Sequence, residues 1–101
     1  MSERDMDVLN ILWGHEEPMQ AMDIAYAVEG LNQSTVTAVL RKLLEANMVE
    51  VAGVTHSGKV LSRIYRPTEA SKEAVIDFMM AELKRCESVV TLDDLQRAQQ
   101  K

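Results

Sequence analysis

The chain lacks most of what would mark it as secreted, membrane-embedded or catalytic. It has one cysteine, Cys86, so no disulfide can form within it, and a reducing cytosol suits it. No run of 18 apolar residues occurs, which argues against a membrane span. The opening MSERDMD has no basic stretch leading into an apolar one, so no signal peptide is expected and a cytoplasmic location is. There are only two histidines, His15 and His56, far apart in sequence. His15, Glu16 and Glu17 cluster, but no second histidine lies at ligand spacing, so neither a metal nor a cofactor is expected. No nucleophile sits beside a base, and no glycine-rich phosphate loop or paired-carboxylate motif appears. The sequence does not read as an enzyme.

Positive charge is also scarce overall, with a net charge of −5, but it is unevenly placed. Residues 1–31 hold one cation and seven acids, and residues 69–101 hold five cations and seven acids. Residues 32–68 reverse the balance, with Arg41, Lys42, Lys59, Arg63 and Arg66 against Glu45 and Glu50. A basic island in an acidic chain weakens non-specific affinity for nucleic acid and leaves more of the binding to a specific site.

The centre of that island is 32–46, NQSTVTAVLRKLLEA. Val36, Val39, Leu40, Leu43 and Leu44 follow the i, i+3, i+4, i+7, i+8 spacing of one helical stripe. Ser34, Thr35, Thr37, Ala38, Arg41 and Lys42 fall on the other face. Short side chains let a backbone approach base edges, and an arginine can bond guanine through two nitrogens. Asn32 is a suitable N-cap and Asn47 a suitable left-handed residue past the end. An ordinary amphipathic surface helix would look similar, and the flanking segments distinguish the two.

Upstream, residues 3–13 read as a helix with Val8, Leu9, Leu12 and Trp13 inward, Trp13 serving as a core anchor. Pro18 to Gln20 is a short extended piece, and Ala21 to Val28 a second helix, followed by a turn at Gly30. Helix, glycine turn and helix make a helix-turn-helix pattern. Downstream, Met48 to Val54 and Val60 to Arg66 alternate at period two, with Thr55 to Lys59 as a turn-rich tip. The expected fold is mainly α with a small β-hairpin, a winged helix-turn-helix of the α+β class. On the hairpin, Lys59, Arg63 and Arg66 are placed to neutralise phosphates, the alternative being a solvated face. His56 is a further candidate at the wing.

The residues Asn10-Ile11-Leu12-Trp13, Pro18-Met19-Gln20-Ala21, Leu31 to Leu43 and Ile64-Tyr65-Arg66-Pro67 together resemble the penicillinase-repressor family of bacterial winged-helix regulators. The resemblance covers roughly 5–68. It implies a homodimer that binds operator DNA and represses transcription. By it, Ser34, Thr35, Thr37, Ala38 and Arg41, opened by Gln33, would face the major groove. The wing from His56 through Ser57 to Lys59 would meet the backbone. Gln20 stands where family members often carry Ser or Thr, and Asn32-Gln33 where they often carry Ser-Pro. A lone cysteine excludes the copper-sensing branch.

Residues 69–101 form the expected arm. Ile76, Met79, Leu83, Cys86 and Val90 recur at three- and four-residue intervals, a short heptad seam. The expectation is that this seam pairs with a second copy, the alternative being a monomer whose arm folds back. Val89-Val90-Thr91 marks a break before a last short helix. Cys86 reads as a small seam residue, with a cross-subunit disulfide as the alternative. The chain therefore divides into a DNA-binding domain at 1–68 and a dimerisation arm at 69–101. The expected function is transcriptional repression at a pseudo-palindromic operator of double-stranded DNA. The competing reading is a winged-helix module that binds protein instead.

Overall fold

The computed structural model describes residues 1–100, apart from the Ser57 side chain. Five helices and one hairpin follow in the order α1 (Glu3–Gly14), α2 (Ala21–Ala27), α3 (Gln33–Glu45), β1 (Val49–Ser57), β2 (Val60–Pro67), α4 (Glu69–Arg85) and α5 (Leu92–Gln99). This is the winged helix-turn-helix arrangement expected from the sequence.

Local chemistry sets the boundaries. Ser2 caps α1 in a reciprocal box with Asp5: its hydroxyl accepts from the Asp5 N–H, and the Asp5 carboxylate accepts from the Ser2 N–H. Asn32 caps α3 by accepting from the Thr35 N–H at 2.8 Å. Asn47 leaves α3 at φ 59°, the left-handed position expected of it. Gly30, at φ 89°, makes the turn between α2 and α3 with a backbone few other residues adopt.

The core is the meeting of three helices. Val8, Leu9 and Leu12 of α1, Ile24 of α2, and Val36, Val39, Leu40 and Leu43 of α3 are buried together, with Met19, Leu31 and Val49 closing the edges. The α3 stripe is thus consumed by the core, which leaves its other face outward. Trp13 departs from expectation. It is 40% exposed, and it donates its indole N–H to the Ser71 hydroxyl at 2.9 Å. It therefore fastens α4 to α1 at the rim of the core rather than anchoring its interior.

The hairpin also differs in detail. The strands run to Ser57 and from Val60, so the tip is only Gly58-Lys59. Thr55 and His56 belong to β1, with His56 opposite Leu61. Gly58 at φ 67° supplies the first position of a two-residue turn, which suits the twist of the strands. Ala52 is an extra residue between Val51 and Gly53, a bulge that shifts the register of the inner half. Met19 joins the sheet edge through reciprocal backbone bonds with Tyr65, at 2.9 and 2.8 Å.

α4 and α5 reach away from this core. The long dimension is 54 Å and the radius of gyration 15.9 Å, against about 13 Å for a compact chain of this length. No helix among the described residues is long and apolar enough to cross a membrane.

Candidate nucleic-acid interface

With the apolar stripe of α3 buried, Gln33, Ser34, Thr37, Ala38 and Arg41 are left exposed, lining one shallow open surface. Thr35 is half-buried, its backbone N–H taken by the Asn32 cap. A face of short side chains with one arginine a turn and a half further on can approach base edges closely. Arg41 has no ion-pair partner among the described residues.

Lys42 lies elsewhere. Its Nζ is 2.8 Å from Asp5 Oδ2, turned toward the start of α1. Asp5 is only 2% exposed, whereas the Lys42 side chain is 61% exposed. Burial pushes the Asp5 carboxyl up, but hydrogen bonds from Lys42 and from the Ser2 N–H and hydroxyl outweigh it and hold it below the ordinary value. Asp5 Oδ1 is buried with no hydrogen-bond partner among the described residues, so the carboxylate's charge is carried by what reaches Oδ2. Lys42 is thereby tied into the packing of α1 on α3, away from the exposed face that carries Arg41.

The hairpin cations separate in the same way. Arg66 lies opposite Glu50 across the strands, and its Nε donates to the carboxylate at 2.6 Å. Arg63 lies opposite Val54, on the other face, with no carboxylate partner among the described residues. Lys59 occupies the exposed tip. His56 is exposed in the second pair below that tip, and the Ser57 side chain lies outside the described residues. Among the described residues, then, Arg41, Lys59 and Arg63 of the basic island are unpaired, and Lys42 and Arg66 are matched by carboxylates. Val54, Val60 and Leu61 stand exposed among them, so the wing is more apolar than its charges suggest.

Gln20, at the N-cap of α2, was not among the sequence-derived candidates. Its side chain makes no capping bond, and it faces a small cleft shared with Gln33, Ser62, Arg63 and Tyr65. The signal was present in the sequence as a glutamine at a position where a short capping side chain is usual.

On the arm, Ile76 and Met79 are 52% and 54% exposed. Leu83 and Val90 are half-buried, and Cys86 is exposed and free. Within one chain the seam is thus largely uncovered. Leu92 and Leu95 of α5 are exposed too, and that helix buries no residue.

No family model matches the chain, and no curated relative does. Solved structures do match. PadR of Bacillus subtilis in complex with operator DNA superposes with a TM-score of 0.65 at 18% identity, over 78% of this chain and 48% of that one. A PadR-family regulator from Clostridium difficile R20291 gives 0.63 at 18% identity, over 87% and 94%. The PcaV transcriptional regulator of Streptomyces coelicolor, with its natural ligand, gives 0.63 at 16% identity, over 95% and 67%. This chain spans about half the length of the PadR protein it resembles. At these identities the likeness is one of fold, that of winged-helix transcriptional regulators. The finer resemblance to penicillinase repressors finds no support in these structures.

Proposed function

We propose that this protein is a sequence-specific DNA-binding transcriptional regulator, a repressor that occupies a pseudo-palindromic operator as a homodimer. The observation that carries this reading is the outward face of α3. Gln33, Ser34, Thr37, Ala38 and Arg41 lie on one surface with no carboxylate among them, in a chain of net charge −5. α3 enters the major groove, where Arg41 reads a guanine and the short residues fit against neighbouring bases. Lys59 and Arg63 hold the backbone on either side, with His56 beside them. Lys42 and Arg66 contribute less than their charge suggests, since Asp5 and Glu50 already engage them. The likeness in fold to a PadR protein in complex with operator DNA supports DNA as the partner.

The second copy enters because the arm is uncovered. Ile76, Met79, Leu83, Cys86 and Val90 of α4 and the following turn pair with their counterparts, and the pairing sets the half-site spacing. Occupancy of a promoter by the dimer then excludes polymerase.

A genomic pull-down tests the reading. Purified protein is incubated with sheared DNA from its own source at about physiological salt, Arg41→Ala in parallel, and bound fragments are sequenced. The expected result is one or a few enriched promoter fragments with an inverted repeat. Arg41→Ala should lose about 1–3 kcal/mol at one position per half-site. Enrichment of no DNA by a folded wild-type protein overturns the proposal and favours the protein-binding alternative.

A further inference from the structure

We infer that the cleft between the start of α2, the start of α3 and β2 is a seat for a single phosphodiester of the DNA backbone. This rests on the DNA-binding reading and adds to it a site the cation pattern does not reveal. The cleft has a volume of about 150 Å³; Gln20, Gln33, Ser62, Arg63 and Tyr65 line it, with Ala21 and Met22 completing the wall. Its polar lining is one cation among neutral hydrogen-bonding groups, beside the apolar Ala21 and Met22. No carboxylate lines it, although the chain carries 16 acidic residues. Arg63 has no ion-pair partner among the described residues, whereas its near neighbour Arg66 is engaged by Glu50. A planar fork with free donors, set among two amides and a hydroxyl, matches the acceptor oxygens of a singly charged phosphodiester.

Two features place the seat where a backbone would pass. Gln33 lines both this cleft and the exposed face that carries Ser34, Thr37, Ala38 and Arg41, so the two surfaces are continuous. The walls are also fixed in advance. Met19, immediately before Gln20, and Tyr65, two residues beyond Arg63, exchange backbone hydrogen bonds at 2.9 and 2.8 Å. The segment bearing Gln20 is thereby clipped to the strand bearing Ser62 and Arg63. A phosphate held there sets how far α3 enters the groove and in which register, as backbone contacts generally do.

Phosphate contacts persist in non-specific binding, so a short duplex of random sequence is a sufficient probe. Fluorescence anisotropy on the full-length protein, between about 50 and 200 mM salt, reads both affinity and salt slope. Arg63→Gln is expected to weaken binding on the order of tenfold and to lower the slope by about 0.9 per bound subunit. Arg63→Lys should keep the slope and still weaken binding, because the charge remains and the fork is lost. Gln20→Ala and Ser62→Ala should each weaken binding several-fold with the slope unchanged, and should cost much less in the Arg63→Gln background. Inorganic phosphate should compete no better than chloride of equal ionic strength. If wild type binds no duplex at all, the DNA reading itself fails. If wild type binds and the Gln20 and Ser62 variants, folded by circular dichroism, match it, the seat is refuted and the DNA reading stands. Competition specific to inorganic phosphate would reassign the cleft to a free anion and refute the backbone seat.

Discussion

Lys42 illustrates how a charge can be spent inside the fold. In sequence it is adjacent to Arg41 and looks equally available. In space the two point apart, because successive residues of a helix differ by about 100°. Lys42 meets Asp5, whose carboxylate also receives the Ser2 N–H that closes the α1 capping box. Removing Lys42 leaves a nearly buried carboxylate with fewer partners, so Lys42→Ala should destabilise the protein by about 1–3 kcal/mol at neutral pH. It should leave DNA affinity far less affected than Arg41→Ala does. The pair also sets an acid limit. Asp5 is held below its ordinary value despite burial, so its stabilising contribution is complete above the unfolded value of about 4. It is lost as pH falls through the lower folded value. In Lys42→Ala the effect of burial persists without the lysine, so the folded value rises toward the unfolded one, less stability is lost in acid, and the gap between the two proteins should narrow as pH falls below about 4. Urea denaturation from neutral pH down to about pH 3 measures both effects. Equal stability of the two proteins across that range would show that the pair contributes nothing.

Among the elements, α3 was the most legible from sequence and the hairpin the least. The α3 stripe, its Asn32 cap and its Asn47 exit are all local patterns, and each appears as read. Period-two alternation puts Arg63 and Arg66 on opposite faces of the hairpin, yet it could not show the Ala52 bulge. From the tip inward the strands pair Ser57 with Val60 and Val54 with Arg63. Continued without a bulge, that register would set Glu50 opposite Pro67. The extra residue sets it opposite Arg66 instead, which creates the ion pair and removes one cation from the candidate surface. Asp5 was hidden for a different reason: its partner lies 37 positions away, on a helix whose crossing with α1 no local pattern encodes. The arm raises its own question of stability. α5 has eight residues, a Thr91–Asp94 capping box and no buried side chain. A helix of that length is marginal alone in water, so a cap cannot account for it by itself. Burial against a second copy can. Ile76→Glu combined with Met79→Glu should yield a monomer by sedimentation, with α5 amides that exchange rapidly with deuterium. In the wild-type protein at dimer-forming concentration the same amides should be protected. Equal, fast exchange in both would detach α5 from the dimer.

At the scale of the whole molecule, the acidic excess and the internal ion pairs bear on the same quantity. Affinity for DNA falls with salt in proportion to the number of phosphates neutralised, with a slope of about −0.9 for each. Counting every cation of the basic island gives five per subunit and ten per dimer, hence a slope near −9. Among the described residues only Arg41, Lys59 and Arg63 of that island are unpaired, which gives six per dimer and a slope near −5. If Arg41 contacts a base instead of a phosphate the slope falls to about −4. The acids elsewhere repel DNA at a distance but displace no condensed counterions, so they lower affinity without steepening the dependence. On the proposed reading, such a regulator would hold non-operator DNA weakly, and its discrimination would rest on the α3 face. Titrations of the dimer against operator duplex between about 50 and 200 mM salt decide between these values. A slope near −4 to −5 fits a surface in which Asp5 and Glu50 keep their partners in the complex. A slope near −9 would mean that both carboxylates surrender Lys42 and Arg66 to phosphates, and then Asp5→Asn and Glu50→Gln should tighten binding, since the competing acceptors would be gone.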